Sequence, residues 1–129
     1  GGFYRSSDGT YDRSGGAGAM QYAEIVVPSE RLNTSITVTI GAAAVASDGG
    51  DTQFGEYIAP GGKKAPTTNS YGAGGSTGAY TGESGILTRG GNSWYGNGAT
   101  ESSGATGHGA GGWKQRPGSN GLVIVYGYR

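Results

Sequence analysis

Few side chains in this sequence carry catalytic or metal-binding chemistry, and each lacks suitable partners. His108 is the only histidine and lies between two glycines, which give it flexibility instead of the fixed neighbours that a general base or metal ligand requires. Asp48 and Asp51 are close in sequence but supply too few of the roughly six to eight oxygens that Ca²⁺ takes. Glu83 and Glu101 lack the fixed positions of a glycosidase pair. We expect no catalytic residue, no metal site, no cofactor and no enzymatic activity.

Charge and cysteine content exclude further classes of protein. The sequence has no cysteine, which excludes disulfide scaffolds, thiolate zinc sites and cysteine nucleophiles. Nine basic residues balance nine acidic ones, and Lys63-Lys64 is the densest basic pair. Nucleic acids and anionic membranes attract a clustered excess of positive charge, and no apolar run approaches the roughly 20 residues of a membrane span. We therefore expect neither nucleic-acid binding nor membrane insertion.

Aromatic side chains in glycine-rich segments are the best candidates for a binding function. Flat apolar faces beside fixed polar groups suit sugar rings, and Tyr and Trp mixed with Ser, Gly and Asn are typical of antibody paratopes. The candidate receptor-binding residues are Tyr71, Tyr80, Trp94, Tyr95 and Trp113. In the alternative, these rings cover glycine backbone and replace a missing aliphatic core. That alternative is favoured for Trp113, which directly follows two glycines.

Glycine dominates the elements that must position these side chains. The chain has 129 residues, of which 30 are glycine, a proportion more typical of low-complexity segments than of globular domains. Branched aliphatic residues are too few for a large helical core. Charged residues make up only 14% of the chain, which argues against disorder driven by charge. These features predict a thin-cored, mostly extended domain.

Three segments hold most of the branched aliphatic residues, and β-branched side chains favour strands. They are residues 22–27, 35–40 and 122–126. In the second segment Ile36, Val38 and Ile40 would share one face. The third segment is apolar on both faces, so we expect it in the middle of a sheet.

Weaker signals predict further short elements. Residues 52–54, 56–59 and 86–88 are short strand candidates bounded by glycine, and residues 29–33 are predicted to form a turn after Pro28. All of these elements are short, so the connections between them must be long.

Glycines recur at intervals of three residues between positions 60 and 113. They are Gly72, Gly75 and Gly78, then Gly82 and Gly85, then Gly104 and Gly107. Three residues is the repeat of the extended polyproline II helix, and close packing of such helices requires residues without Cβ. One interpretation is a set of local polyglycine II-like helices. The other is a set of glycine-permitted turns packed on one another and on the aromatic rings.

Together these patterns predict an all-β fold, a small sheet or sandwich of short strands with long glycine-rich loops that are locally polyglycine II-like. We expect one glycine-rich domain over residues 1–129, with a variable glycine-rich loop region at 60–113. Because the sequence begins with Gly1-Gly2 and has neither an initiator Met nor a signal peptide, we expect it to be a processed product or an excised portion of a longer protein. A chain so poor in aliphatic residues gains stability by association.

The order of several short motifs resembles the glycine-rich C-terminal domain of bacteriophage tail-fibre and related virion proteins. The motifs are GGAGA at 15–19, YAE at 22–24, SITVTIGA at 35–42, GGDTQFG at 49–55 and GLVIVY at 121–126. Two features depart from that pattern: GAAA at 41–44 replaces a glycine run, and the strand that usually precedes the first motif is absent.

The resemblance implies that the chain is the C-terminal part of a longer virion protein. It also implies that the protein forms a homotrimer and contacts other virion proteins. It further implies non-enzymatic recognition of a bacterial surface receptor, either a glycan or an outer-membrane protein, during host adsorption. Two alternatives stay open. The chain is a purely structural fibre or decoration protein of the virion, in which the aromatic rings only pack, or it is a secreted glycine-rich filament or ice-binding protein.

Overall fold

The computed structural model describes residues 1–2, 4–5, 7–8, 12–13, 15–16, 27–31, 35–67, 70–78 and 80–127. Its strands are β1 (Tyr4–Arg5), β2 (Asp12–Arg13), β3 (Val38–Thr39), β4 (Thr52–Phe54), β5 (Tyr57–Ala59), β6 (Tyr95–Asn97) and β7 (Thr106–His108). They pair antiparallel in three small sheets, β1-β2, β3-β4-β5 and β6-β7. The described residues contain one 3₁₀ turn, Ser29–Arg31, and no α-helix. The prediction of an all-β fold is confirmed.

The predicted short strands at 52–54 and 56–59 are confirmed as β4 and β5. They form a hairpin because Gly55, at φ +57°, makes the tight turn between them. The prediction for 86–88 is wrong. There the backbone N–H of Ile86 donates to Arg89 O at 3.0 Å and closes a turn.

The long strand predictions are less accurate. Of residues 35–40, only Val38–Thr39 pairs, and both Val38 and Ile40 are exposed. The strand predicted at 22–27 lies outside the described residues, apart from Val27, which is not in a strand.

The prediction that 122–126 forms a buried central strand is wrong. The described part of the chain shows no strand there, and Ile124, Val125 and Tyr126 are exposed. No described backbone group is hydrogen-bonded to this segment. Apolar composition on both faces therefore did not lead to burial, and among the described residues no strand pairs with this segment.

Glycine and alanine, not branched side chains, fill the interior. Apart from Trp113, every buried residue in the described part of the chain is one of these two types. The buried alanines are Ala44, Ala65, Ala99 and Ala110. The core is consequently made of backbone, and its stability depends on close contact and on hydrogen bonds between main chains.

Extended glycine segments cross this interior, and each is bonded to several neighbours. The backbone N–H groups of three successive residues, 110, 111 and 112, donate to three different segments. Their acceptors are Ser119 Oγ at 2.9 Å, Gly91 O at 2.8 Å and Gly1 O at 2.9 Å. Successive groups of a β-strand face only two neighbours, whereas a helix with three residues per turn faces three. This packing is of the polyglycine II kind, and we call the set of segments the glycine array.

The runs at 1–2 and 15–16 lie at the centre of the glycine array and are fully buried. Gly15 donates its N–H to Gly112 O at 3.0 Å, and Gly16 donates to Lys63 O at 2.9 Å. A Cβ at Gly16 would overlap the carbonyl group of Ala73. Glycine is needed here because no side chain fits between the backbones.

The three-residue repeat in the sequence corresponds only partly to the glycine array. Gly72, Gly75, Gly82 and Gly85 belong to it, through hydrogen bonds from Gly82 N to Gly75 O and from Gly85 N to Gly72 O, both 2.9 Å. For the other three glycines the polyglycine prediction is wrong. Gly78 has φ +89° in a turn, Gly104 has no atom near its would-be Cβ, and Gly107 has φ +68° in β7.

Successive segments of the glycine array run in alternate directions, so its turns gather at two ends. Residues 90–92 and 97–99 form an antiparallel pair closed by the turn 93–96, and the bridge between Arg89 and Thr100 marks the other end of that pair. Glu83 N donates to Asn92 O at 3.2 Å, which places the turn 76–81 at the same end as 93–96.

The turns 86–89, 100–103 and 113–116 meet at the opposite end. There Trp113 Nε1 donates to Leu87 O at 3.1 Å, and an Arg116 guanidinium nitrogen donates to Glu101 O at 3.2 Å. We call residues 76–81, 92–97 and 105–109 the aromatic end, and residues 86–89, 100–103 and 113–116 the charged end.

Candidate functional site

Trp94 and Tyr95 occupy the two central positions of the turn 93–96 and point into solvent. Ser93 N donates to Gly96 O at 2.9 Å and closes the turn. The Trp94 side chain is 76% exposed and that of Tyr95 is 52% exposed. The residues predicted to bind a receptor at these positions are thus accessible to a large ligand.

The strand pair β6-β7 fixes one side of this turn. Tyr95 lies opposite His108, Gly96 opposite Gly107 and Asn97 opposite Thr106. Ser93 Oγ donates to His108 O and accepts from Tyr95 N. In the sequence His108 has only glycines as neighbours, whereas the structure places it beside Tyr95. Gly96 and Gly107 are each the middle residue of a three-residue stretch, and this is the one sequence signal that could have suggested that residues 95–97 pair with residues 106–108.

A polar network fixes the other side of the turn. Asn92 Oδ1 accepts from Gly98 N at 2.9 Å, and Asn92 N donates to Glu83 Oε2 at 2.8 Å. Arg89 donates to both carboxylate oxygens of Glu83 at 2.7 Å. The hydrogen bond from Arg89, assisted by that from Asn92, lowers the pKa of Glu83, so this carboxylate is ionised and serves as an anchor.

Tyr80 projects from the neighbouring turn of the aromatic end. Thr77 N donates to Tyr80 O at 3.1 Å, and Tyr80 N donates to Thr77 Oγ1 at 3.2 Å. The hydroxyl groups of Ser76 and Thr81 are hydrogen-bonded to each other, 2.7 Å apart, across the base of this turn. Tyr80 is half-buried, so part of its surface is accessible at the aromatic end.

The remaining two candidates lie away from the aromatic end. Tyr71 adjoins Gly72, which pairs with Gly85 just before the turn 86–89. Trp113 is 5% exposed, its indole N–H donates to Leu87 O, and Lys114 Nζ lies 4.4 Å from its ring centroid. These contacts are those of a packing residue. The structure therefore separates Tyr71 and Trp113 from the other three candidates.

The two ends differ in charge as well as in aromatic content. Residues 76–81, 92–97 and 105–109 include no Asp, Glu, Lys or Arg. The charged end holds Arg89, Glu101, Lys114 and Arg116, and Lys114 Nζ lies 3.7 Å from Glu101 Oε1. Glu83 and Glu101 bind different cations and are not brought together as a catalytic pair.

Asp48 and Asp51 stabilise the backbone by accepting hydrogen bonds from its N–H groups. Asp48 accepts from Lys64 N at 2.9 Å and its carboxylate lies 3.3 Å from Lys63 Nζ. The backbone hydrogen bond from Lys64 is the main cause that lowers the pKa of Asp48. Asp51 accepts from Gly61 N at 2.8 Å. In the described part of the chain, no group of three His, Asp or Glu side chains is placed to hold a metal ion.

Comparison of the chain with protein-family models, with curated proteins and with solved structures found no match. Within the described ranges, no helix has the length and apolar character needed to cross a membrane.

Proposed function

We propose that this chain is a non-enzymatic recognition domain of a bacteriophage tail fibre or fibre tip, which binds a bacterial surface receptor through its aromatic end. One observation carries this proposal. Trp94 exposes three-quarters of its surface on a turn that is hydrogen-bonded on both sides. Exposed aromatic rings held in fixed positions are characteristic of interaction sites.

The rigidity of the support favours binding. Asn92 and Ser93 each form hydrogen bonds to segments beyond their own turn, so little freedom of the turn's backbone is left for a ligand to remove. A preorganised surface lowers the ordering cost of association.

The glycine array also separates positions that must stay small from positions that can vary. Its buried positions accept only small residues, whereas the turns between segments face solvent. Turns on a rigid scaffold can change sequence without disturbing the core. Such a division suits a protein that must follow changes in a host surface.

The two alternatives make different demands on the same residues. In a purely structural virion protein, the rings of Trp94 and Tyr95 would be covered by a neighbouring subunit. A secreted filament or ice-binding protein would need long, regular faces of polyglycine helices. Turns and short strands interrupt the segments here every few residues, which disfavours the filament alternative.

Binding of the labelled chain to a panel of intact bacteria tests the proposal. We expect Trp94→Ala to lower the apparent affinity for a bound strain by about fivefold or more, because truncating a central aromatic contact typically costs more than about 1 kcal/mol. Leu87→Ala is the matched control, since Leu87 is 64% exposed at the charged end. It should bind as the parent chain does.

Equal loss of binding in both variants would indicate a general effect on folding, which circular dichroism and thermal unfolding would reveal. If Trp94→Ala folds and binds normally, the aromatic end is not the receptor site. If no strain binds the parent chain while it does label the shaft or capsid of a phage particle, the structural alternative replaces recognition.

A further inference from the structure

We propose that the ligand of the aromatic end is an uncharged carbohydrate, bound on the outer face of the β6-β7 pair beside Trp94. This inference rests on the function proposed above and names the ligand class for the same site. It follows from four exposed residues that the strand pair brings together.

The register of β6 and β7 determines which side chains share a face. Tyr95 pairs with His108 and Asn97 pairs with Thr106, while Gly96 and Gly107 pair between them. Side chains two residues apart on a regular strand point the same way, so Tyr95 and Asn97 share a face of β6. His108 and Thr106 lie directly beside them as their pairing partners, and all four residues are exposed.

Glycine at the central pair is required for this arrangement. A Cβ at Gly107 would overlap Tyr95 O, and one at Gly96 would overlap Thr106 O. The backbones of the two strands are thus in close contact at this central pair. We call the four exposed residues the β6-β7 face.

The chemistry of the β6-β7 face matches a sugar. The phenol of Tyr95 offers a flat apolar surface for the C–H groups of a pyranose ring. The amide of Asn97 and the hydroxyl of Thr106 each donate and accept hydrogen bonds, and His108 adds an imidazole. Sugar hydroxyl groups also donate and accept hydrogen bonds. Each of these polar groups can therefore find a hydrogen-bonding partner when it leaves water.

Charge argues for a neutral sugar. The aromatic end contains no Lys, Arg, Asp or Glu, and the nearest cation in sequence, Arg89, is held by Glu83 through two hydrogen bonds of 2.7 Å. A phosphate or carboxylate brought here would lose water without gaining a cationic partner, which is costly. Sialylated or phosphorylated glycans are therefore disfavoured.

The size of the face argues for a sugar over a protein loop. Two residue pairs span about 5 Å between strands and about 7 Å along them. Such a face accommodates one or two pyranose rings, whereas stable protein–protein interfaces generally bury more than about 1,000 Å². Trp94, adjacent in the turn, extends the apolar surface for a second ring.

The test uses a bacterial strain that binds the parent chain in the experiment above. Its cells are treated either with periodate, which oxidises vicinal diols of sugars, or with protease, and binding of the chain is measured again. We expect periodate to abolish binding and protease to leave it unchanged. Polysaccharide purified from that strain should then compete with the cells.

Salt dependence and variants sharpen this test. Between about 50 and 500 mM NaCl we expect less than a twofold change in affinity for the purified polysaccharide, because no ion pair is screened. Asn97→Ala and Thr106→Ala should each weaken binding about three- to tenfold through a lost hydrogen bond. Thr88→Ala, an exposed threonine at the charged end, is the matched control and should bind normally.

The outcomes separate this inference from the proposed function. Binding that requires Trp94 but is lost to protease and survives periodate would overturn the carbohydrate inference and leave receptor recognition intact. Binding to a polysaccharide that falls steeply with salt would also overturn it, in favour of a charged ligand. Failure of the parent chain to bind any cell would overturn the proposed function itself.

Discussion

At the scale of single residues, Gly98 shows how the glycine array limits the sequence. A Cβ at Gly98 would overlap the carbonyl of Gly90, and both glycines are buried. Because rigid backbone cannot move aside cheaply, we expect Gly98→Ala to destabilise the fold by about 3 kcal/mol. The midpoint of thermal unfolding should fall by roughly 10 °C.

Gly104→Ala is the matched control for that measurement. Gly104 has no heavy atom within 4 Å of its would-be Cβ, and its φ is not in the left-handed region. Alanine there should stabilise slightly, by about 0.5 kcal/mol, because it restricts the unfolded chain. Equal stability of the two variants would contradict a core built on backbone contact.

The ion pair of Glu83 with Arg89 predicts a dependence of stability on pH. The folded state lowers the pKa of Glu83 below its ordinary value of 4.5. The pair therefore contributes fully above that value, and its contribution is lost as pH falls through the lower pKa of the folded state. The Glu83 side chain is 41% exposed, so solvent screening keeps the contribution below about 1 kcal/mol.

Thermal unfolding of Glu83→Gln between neutral and strongly acidic pH measures this effect. The difference in midpoint from the parent chain should be largest at neutral pH and vanish in acid. Glu101→Gln is the control, since the Glu101 side chain is 85% exposed and its carboxylate lies 3.7 Å from Lys114 Nζ. If the difference in unfolding midpoint between Glu83→Gln and the parent chain does not change with pH, the charge of Glu83 does not contribute to stability.

At the scale of elements, the turn 113–116 contains backbone strain. Lys114 has φ +43° and Gln115 has φ +67°, a region that costs non-glycine residues about 1 kcal/mol or more. We expect Gln115→Gly to raise the free energy of unfolding by about 0.5 kcal/mol, because relief of strain exceeds the entropy cost of glycine. Gln115→Ala, which keeps a Cβ, should not stabilise, and chemical denaturation would distinguish the two.

The same turn shows why Trp113 is structural. Trp113 N donates to Arg116 O at 3.0 Å and Arg116 N donates to Trp113 O at 2.9 Å, so the closed turn holds the ring against Leu87. The turn 93–96 is likewise closed, yet its aromatic residues are central in the turn instead of at its base. Position within the turn decides whether a ring packs or is exposed.

At the scale of the whole molecule, a backbone core predicts an unusual heat capacity of unfolding. Exposure of apolar surface raises this quantity and exposure of peptide groups lowers it. Because the described interior holds glycine, alanine and one tryptophan, we expect calorimetry to give less than about 12 cal/mol/K per residue, the low end for globular proteins. A value in the ordinary range would mean that aliphatic burial drives folding after all.

Exposed aliphatic residues predict association of the chain. Val38, Ile40, Ile124 and Val125 are all exposed, and Gly121 N donates to Gly41 O at 2.8 Å, so the two segments that carry them adjoin at these glycines. Exposed apolar surface of this kind favours subunit contact. We propose a homotrimer, and sedimentation at micromolar concentration should show it.

Ile124→Ser should shift that equilibrium toward monomer, whereas Leu87→Ser, at the charged end, should not. A parent chain that sediments as a monomer at all accessible concentrations would contradict association through this surface. The exposed aliphatic residues would then need another partner, such as a different protein.

The sequence by itself determined the class of fold. Thirty glycines and few aliphatic residues predict a thin-cored, mostly extended domain, and they left polyglycine II-like helices and glycine-permitted turns both open. The short hairpin of β4 and β5 followed from local turn chemistry at Gly55. The aromatic candidates also followed from residue type, since few other side chains in these segments offer a large apolar face.

Tertiary structure alone decided which residues share a surface. Gly72 and Gly78 belong to the same three-residue repeat, but only Gly72 enters the glycine array, because entry depends on which segments lie alongside. Residues 122–126 have the composition of a central strand, yet no strand in the described ranges pairs with them. Trp94 and Trp113 both adjoin glycine-rich turns, and the direction in which each segment runs places them at opposite ends. His108 joins Tyr95 only through the register of β6 and β7, a long-range pairing that no local pattern specifies.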